Sequence, residues 1–283
     1  MSLVVALRHL RHGPLRGLAP LWLVLGRLHR AALRRLPVAG TTRQWIGDYG
    51  PFAMDASFAF SDFHNWGGGH NRGFAACIEA CRGKRCVVDI GAHIGLVTMP
   101  MSSVLAPGGT VHAFEPADAN HRLLIDHLAK NGIENVAVTK ALIGATAAAA
   151  VRFYEQAEAT GVNSIVRRND NPDYRETRCP QTTLDEFCRE RGLAPEVIKI
   201  DVEGAEIDVL TGGAETLRRA RPEIFLSVHP GHLKALGRSC EELARLIADL
   251  GYDCRDMAGR PVSRFSLDEY HLLPREQADA HAV

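Results

Sequence analysis

Short apolar segments alternate with helix-compatible segments through most of this chain, and this alternation constrains the fold more than any other feature. Four of the apolar segments are Cys86 to Ile90, Thr110 to Phe114, Val197 to Ile200 and Glu223 to Val228. Strands that are separated by single helices form βαβ units, whose strands run parallel in one sheet. The alternation therefore predicts an α/β fold with a doubly wound, mostly parallel, Rossmann-like sheet.

An acidic or polar side chain lies at the carboxyl end of each of these four segments. The four side chains are Asp89, Glu115, Asp201 and His229. Ligands of open parallel sheets bind in the crevice at the carboxyl ends of the strands. We therefore expect these residues to share one ligand site.

The first strand continues into the glycine turn Gly91-Ala92-His93-Ile94-Gly95. Glycine tolerates positive φ and lets the backbone approach a ligand closely, but ordinary turns between a strand and a helix also contain glycine. Asp89 helps to distinguish the two, because a carboxylate here would repel the pyrophosphate of NAD and attract a cationic cofactor such as S-adenosylmethionine. Glu115, at the end of the next strand, is placed to accept hydrogen bonds from both ribose hydroxyls.

Five segments resemble the FkbM family of S-adenosylmethionine-dependent methyltransferases, in the same order and over about residues 72 to 256. They are Val88-Asp-Ile-Gly-Ala-His-Ile-Gly95, Ala113-Phe-Glu-Pro116, Asn163-Ser-Ile165, Thr183-Leu-Asp-Glu-Phe187 and Ile198-Lys-Ile-Asp-Val-Glu-Gly-Ala-Glu206. The resemblance implies a class I methyltransferase fold and methylation of a hydroxyl on a sugar, a glycan or a secondary metabolite, with S-adenosylmethionine as cofactor. The residues that it assigns to cofactor binding are Asp89, Gly91, Ala92, His93, Gly95, Glu115 and Pro116.

In-line methyl transfer needs an acceptor oxygen aligned behind the methyl group and a group that takes its proton. His229 is the first candidate for this base, because the ordinary pKa of histidine lies near neutrality, and Asp201 is the second. Glu203, Asn163 and Ser164 are candidate substrate-binding residues. Carboxylate and imidazole side chains leave a metal ion held by Asp201, Glu203 and His229 as an alternative, but no metal is assigned.

Two other functions stay open at this point. An NAD-dependent oxidoreductase or epimerase could use the same fold, although Asp89 and the lack of a third glycine in Gly-x-Gly-x-x-Gly spacing count against it. A non-catalytic module that binds a membrane or a partner protein is the other alternative.

The bulk composition restricts the partners and the compartment. The 33 basic and 33 acidic residues balance, so no global field would draw the protein to nucleic acid. Seven cysteines without a Cys-x-x-Cys pair predict reduced thiols and a cytoplasmic protein. None of these patterns predicts the oligomeric state.

The chain is expected to divide into an extension, a main domain and a tail. The expected parts are a basic extension with an irregular cap at residues 1–70, a methyltransferase domain at 71–275 with an insertion at about 147–179, and a tail at 276–283. Residues 1–36 contain seven arginines and no acidic residue. This segment is interpreted either as an amphipathic contact with an anionic membrane or a partner, or as a helical extension packed on the main domain. Its apolar run from Leu18 to Gly26 is too short to span a bilayer.

Local patterns predict several further elements. Asp118 is expected to cap a helix over Ala119–Lys130, and the helix after Asp201 is expected to run past Leu210 to Leu217. Ala149 to Tyr154 and Ser164 to Arg168 are expected to pair as a hairpin, which makes the insertion a candidate substrate lid. Capping boxes are expected at Thr183 with Glu186 and at Ser239 with Glu242.

Overall fold

The computed structural model describes residues 24, 40–68, 71–156, 163–165 and 174–275. The chain divides into two compact units, Met1–Trp66 and Gly67–Val283. Apart from Val24, the segment 1–36 and the tail 276–283 lie outside the described residues, so the membrane or partner contact stays a prediction. Among the helices within the described ranges, none is long and apolar enough to cross a membrane.

A β-hairpin forms in the first unit, where the sequence patterns predict an irregular cap. Strand β1 (Thr41–Ile46) pairs antiparallel with β2 (Tyr49–Asp55). The prediction is wrong for these residues because polar side chains lie on the buried face. Thr42 and Gln44 are buried, whereas Trp45 is 47% exposed. Side chains alternate between inward and outward along the strand, but apolar and polar residues do not alternate with them.

The second unit is built around a central sheet. The described strands of this unit are β3 (Cys86–Ile90), β4 (Thr110–Phe114), β5 (Val136–Thr139), β6 (Leu142–Ile143), β7 (Ala148–Gln156), β8 (Tyr174–Thr182), β9 (Val197–Ile200), β10 (Glu223–Val228), β11 (Tyr252–Asp256) and β12 (Asp268–Pro274). Strands β6, β8 and β7 form a separate sheet in that order. The central sheet has the order β11-β12-β10-β9-β3-β4-β5, in which β12 is antiparallel to both neighbours and the pairs from β10 to β5 are parallel. This order confirms the predicted doubly wound, mostly parallel α/β fold.

The helices of the second unit connect and cover these strands. They are α1 (Phe74–Ala80), α2 (Thr98–Val104), α3 (Asp118–Lys130), α4 (Leu184–Arg191), α5 (Glu206–Gly212), α6 (Ala214–Ala220), α7 (Pro230–Ala235) and α8 (Cys240–Asp249). Buried side chains of α4, α5 and α8 pack with those of β9 and β10 in one hydrophobic cluster of the core. This packing sets the positions of the two strand ends that carry Asp201 and His229.

Two helix starts follow the predicted capping chemistry. The Thr183 hydroxyl accepts a hydrogen bond from the Glu186 N–H at 3.0 Å. The Ser239 hydroxyl accepts one from the Glu242 N–H at 3.1 Å. Both N-caps are therefore confirmed.

The start of α3 differs from the prediction. Asp118 is the first residue of the helix, and no side chain caps it. The Asp118 carboxylate pairs with Lys140 instead, and its backbone N–H donates to Glu155 Oε2 at 2.9 Å. Glu155 from β7 thus satisfies one of the four N–H groups that have no partner within the helix at its start.

The single helix expected after Asp201 is divided into α5 and α6. The division falls at Gly213, which follows Gly212. Glycine favours breaks in helices, and a Cβ at Gly212 would lie 2.0 Å from the carbonyl oxygen of Gly144. The helix end therefore lies against the backbone of another segment, an approach that only the folded structure reveals.

The insertion contains a hairpin, but with a different second strand from the one predicted. Strand β7 pairs antiparallel with β8, and Ser164 forms an antiparallel bridge with Tyr154. The predicted pairing is therefore present at Ser164, and residues 166–168 of the predicted strand lie outside the described residues. Strand β8 was not predicted because most of its residues are polar. Of its side chains, Cys179 is the buried one, and it packs in a small cluster with Phe153. All seven cysteines carry free thiols.

Candidate functional site

The carboxyl ends of β10, β9, β3 and β4 lie next to one another in the central sheet. The parallel registers place Ile90 beside both Phe114 and Ile200, and Leu226 beside Ile200. The strand order therefore brings the four residues of the predicted site to one edge, which we call the acidic edge. They are Asp89, Glu115, Asp201 and His229, and their roles stay predictions.

The glycine turn is held against the end of β9. Gly91 has a φ of 88°, and a Cβ at this position would lie 1.9 Å from the carbonyl oxygen of Asp201. Gly95 has a φ of 93° and a Cβ there would lie 2.9 Å from Leu124 Cδ1. Gly91 therefore requires glycine for backbone conformation and for space, and Gly95 requires it for backbone conformation.

The backbone donors of this turn bond within the protein. The N–H groups of Gly91 and Ala92 donate to the Phe114 carbonyl at 3.0 and 2.9 Å. The His93 N–H donates to Glu115 Oε2 at 2.8 Å, and the Gly95 N–H donates to the Ala92 carbonyl at 2.9 Å. The turn lets a ligand approach the backbone closely, but these four N–H groups already donate to acceptors within the protein.

Glu115 is buried beside the turn and followed by the half-buried Pro116. Its Oε1 accepts from the Ala117 N–H at 2.9 Å and from Asn120 Nδ2 at 3.3 Å, and its Oε2 accepts from the His93 N–H. Burial raises the pKa of Glu115 to about 7, although these three donors oppose the shift. A carboxylate oxygen can accept more than one hydrogen bond, so Oε2 keeps capacity for a ligand donor.

His93 departs from the usual backbone of a histidine. Its φ is 52°, and its Nε2 is buried without a hydrogen-bond partner in the described part of the chain. Burial and the nearby Lys199 lower the pKa of His93 to about 4. The ring is therefore neutral at physiological pH.

Lys199 is a site residue that the sequence analysis missed. Its side chain is 5% exposed, and its Nζ donates to the Gly91 carbonyl at 3.2 Å. The same Nζ lies 3.6 Å from Asp89 Oδ1 and 3.5 Å from Asp201 Oδ2. Burial opposes a charge on Lys199, but Asp201 and Asp89 outweigh it and raise the lysine pKa. A lone lysine inside the apolar segment Val197 to Ile200 was the available signal, because a lysine is rarely buried unless paired.

Asp89 is fully buried and does not act as an isolated charge. Its Oδ2 accepts from the Thr98 hydroxyl at 2.6 Å. Lys199 offsets its charge at Oδ1. The argument for a cationic ligand therefore has to rest on the other carboxylates of the acidic edge.

Three carboxylates of the acidic edge surround His229, and they are those of Asp201, Glu203 and Glu206. Glu206 is fully buried, and its Oε1 lies 2.8 Å from His229 Nδ1. His229 Nε2 lies 3.7 Å from Asp201 Oδ1 and 3.5 Å from Glu203 Oε1. Glu203 has a φ of 51°, which is unusual for a residue with a side chain. The turn after β9 therefore points its acids at the end of β10.

The charges of this cluster depend on one another. Burial would lower the pKa of His229, but the hydrogen bond to Glu206 and the charges of Glu203 and Asp201 raise it to about 9. Burial would raise the pKa of Asp201, but Lys199 and His229 hold it below its usual value. The ligand-free cluster therefore favours a positive charge at His229 Nε2.

Two neighbours complete the cluster. His232, which the sequence analysis also missed, places its Nδ1 3.0 Å from Glu203 Oε2 and stacks on the His229 ring at 5.7 Å. The available sequence signal was a second histidine shortly after His229, within the short helix α7. Ser164 is buried, and its hydroxyl donates to the Glu203 carbonyl at 2.6 Å. Ser164 thus contacts the acidic turn.

Asn163, the other candidate substrate residue from the insertion, lies next to this contact in the chain. Its Oδ1 accepts a hydrogen bond from the Gln156 N–H at 3.0 Å. This side-chain oxygen therefore holds the end of β7.

The chain matches one family of known proteins over most of the second unit. The family model described as the methyltransferase FkbM domain matches residues 89–254, which is more than half of the chain. The AMB antimetabolite synthetase AmbE of Pseudomonas aeruginosa is 28% identical over 200 residues, which cover 59% of this chain and 9% of AmbE. The chain thus spans only a small part of that relative's length.

Two solved structures are similar at low sequence identity. The methyltransferase FkbM of Methylobacillus flagellatus KT is 20% identical, with a TM-score of 0.44, and the match covers 68% of this chain and 44% of that chain. The fibrillarin of Aeropyrum pernix, crystallised with natively bound S-adenosyl-L-methionine, is 15% identical, with a TM-score of 0.40, and the match covers 68% of this chain and 66% of that chain. Both TM-scores are below 0.5, so the fold assignment rests on the strand order of this chain.

Proposed function

Because the chain belongs to the FkbM methyltransferase family, we propose that it transfers a methyl group from S-adenosylmethionine to a hydroxyl oxygen of a sugar, a glycan or a secondary metabolite. The charge of the acidic edge carries this proposal. Lys199 offsets the charge of Asp89, and the protonated His229 offsets part of the charge of the remaining carboxylates, which are those of Glu115, Asp201, Glu203 and Glu206. Such an excess of carboxylates attracts the sulfonium and ammonium groups of this cofactor.

The hydrogen bonds of the glycine turn also fit this cofactor better than a dinucleotide. A pyrophosphate is usually held by free backbone N–H groups of such a turn. The N–H groups of Gly91, Ala92, His93 and Gly95 already donate to protein acceptors. S-adenosylmethionine contains no phosphate and needs none of these donors.

Residues at one end of the site would bind the cofactor, and residues at the other end would bind the acceptor. Glu115 would accept the ribose hydroxyls at Oε2, and Ala92 and Pro116 would lie beside the nucleoside with the turn. S-adenosylmethionine supplies an electrophilic methyl group when it is bound. Asp201 and His229 would contact the acceptor hydroxyl, and Glu203 would bind a second polar group of the acceptor. Holding the oxygen in line with the methyl group removes much of the entropic barrier.

Ligand binding tests the cofactor assignment directly. Calorimetry of the full chain is expected to show binding of S-adenosylhomocysteine and no binding of NADH. Glu115→Gln should weaken S-adenosylhomocysteine by about tenfold or more, because a hydrogen bond to a charged group contributes about 1.5–3 kcal/mol. Glu134→Gln, at an exposed position, is the matched control and should bind like the wild type. NADH binding without S-adenosylhomocysteine binding would contradict the proposal.

The acceptor class requires a transfer experiment. The protein is incubated with S-adenosylmethionine labelled in the methyl group and with an extract of the host, and the labelled product is isolated. A methyl ether on a hydroxyl is expected, and it should withstand mild alkaline hydrolysis. Release of the label as methanol under these conditions would indicate a methyl ester and refute hydroxyl methylation.

A further inference from the structure

We propose that Asp201, Glu203 and His229 bind a divalent metal ion at the acidic edge. One oxygen of each carboxylate and one ring nitrogen of His229 all lie within 4.8 Å of one another. Ligand atoms around an ion at a bond length of about 2.1 Å are about 3.0–3.4 Å apart. The distances from His229 Nε2 to Asp201 Oδ1 and Glu203 Oε1 are 3.7 and 3.5 Å. The two distances to His229 Nε2 are a few tenths of an ångström above this range, and the two carboxylate oxygens lie within 4.8 Å of each other.

The second oxygen of each carboxylate lies near a nitrogen atom from outside the cluster. Lys199 Nζ lies 3.5 Å from Asp201 Oδ2, and His232 Nδ1 lies 3.0 Å from Glu203 Oε2. The remaining oxygens, Asp201 Oδ1 and Glu203 Oε1, lie on the side of His229 Nε2. Each carboxylate thus presents one free oxygen to the same point.

His229 is an observation independent of the acids, because it comes from a different strand. It is 9% exposed, and its Nε2 makes no hydrogen bond within the described part of the chain. Its Nδ1 is bound to the fully buried Glu206 at 2.8 Å. Metal-ligating histidines commonly donate their other N–H to a carboxylate, which fixes the ring and makes the free nitrogen a better ligand. Glu206 would play this part here, and the ion would displace the proton that the ligand-free cluster favours at Nε2.

The donor set indicates which ions would bind. Carboxylate oxygens favour magnesium and manganese, whereas imidazole nitrogen favours manganese, iron and zinc over magnesium. Two oxygens and one nitrogen therefore suit Mn²⁺ better than Mg²⁺. Three protein ligands also leave coordination positions for water or an acceptor hydroxyl.

This inference deepens the proposed function and rests on it only for the ion's use, because binding of the ion can be measured without any acceptor. With the ion bound, Asp201, Glu203 and His229 would all act on the acceptor as ligands of the ion. They do not then receive its proton, which passes to solvent water. A hydroxyl on a divalent ion loses its proton more readily because the ion stabilises the negative oxygen.

Manganese titration followed by electron paramagnetic resonance tests the site in the full chain. MnCl₂ alone is the probe, and the wild type is expected to bind one Mn²⁺. Glu203→Gln should weaken this binding at least about tenfold, because it replaces a charged ligand with a neutral amide. Asp208→Asn is the matched control, since this acid lies on α5 close to the cluster in sequence and is 37% exposed. It should leave Mn²⁺ binding unchanged.

Asp201→Asn provides a second variant in case Glu203→Gln does not fold, and circular dichroism reports the folding of each. The proposal is overturned if the wild type binds no Mn²⁺, or if the folded ligand variants bind it as tightly as Asp208→Asn. S-adenosylhomocysteine calorimetry on the same samples separates the two proposals. Binding of S-adenosylhomocysteine without Mn²⁺ binding would leave the methyltransferase assignment standing and reject the ion site alone.

Discussion

Replacing Gly91 with alanine would test how the glycine turn and the end of β9 are held together. At its φ of 88°, alanine costs about 1–2 kcal/mol relative to glycine. The new Cβ would lie 1.9 Å from the Asp201 carbonyl oxygen, so the two turns must move apart by more than an ångström. Overpacking of this kind typically costs about 1–3 kcal/mol. The total expected loss is about 2–5 kcal/mol in the free energy of unfolding.

The variant Gly108→Ala separates the conformational cost of alanine at positive φ from the cost of overpacking. Gly108 has a φ of 77°, but a Cβ there would meet nothing within 4 Å. It should lose only the conformational part, about 1–2 kcal/mol. Urea denaturation measures the free energy of unfolding of both variants. A difference of about 1–3 kcal/mol between them corresponds to a difference of about 2–12 °C in Tm for a unit of this size. S-adenosylhomocysteine affinity should fall in Gly91→Ala and stay unchanged in Gly108→Ala. Equal stability of the two variants would refute the close contact.

Three further predictions follow from single contacts. Because burial raises the pKa of Glu115 to about 7, and the ionised carboxylate accepts the ribose hydroxyls, S-adenosylhomocysteine affinity should rise about tenfold per pH unit up to about pH 7 and then level off. Calorimetry across this range checks it, and a flat profile would contradict it. Lys199→Met should lower the free energy of unfolding by about 3 kcal/mol in urea denaturation, because Asp89 would be left buried without its cation; a loss under about 1 kcal/mol would disprove the pairing. Thr183→Ala should cost about 1 kcal/mol through the lost bond to the Glu186 N–H, and Thr183→Ser should restore it.

Sequence periodicity predicted the parts of the fold whose burial is one-sided or complete. The strands β3, β4, β9 and β10 are apolar because neighbouring strands and helices cover them. Their apolar residues therefore identify them in the sequence. The N-caps at Thr183 and Ser239 were also predictable, since a cap needs only neighbours in the chain. Strands β1 and β8 escaped the same reasoning because polar residues lie on their buried faces or dominate their exposed ones.

For the site, residue type and position at a strand end were enough to select Asp89, Glu115, Asp201 and His229. Parallel strands end at the same edge of a sheet, so this grouping follows from strand order without any side-chain detail. The position of Lys199 inside an apolar segment indicated a buried lysine, but its role in the site depends on its partners, which lie on another strand and in two turns.

The amino-acid sequence by itself determined the α/β alternation, the family and the group of residues at the acidic edge, because these depend on local pattern and strand polarity. Only the tertiary structure decided which charges meet. It placed Lys199 against Asp89, Glu206 against His229 Nδ1 and His232 against Glu203. Such pairings depend on distances of a few ångströms between separate elements, and electrostatic energy varies too steeply with distance and burial for sequence position to settle it.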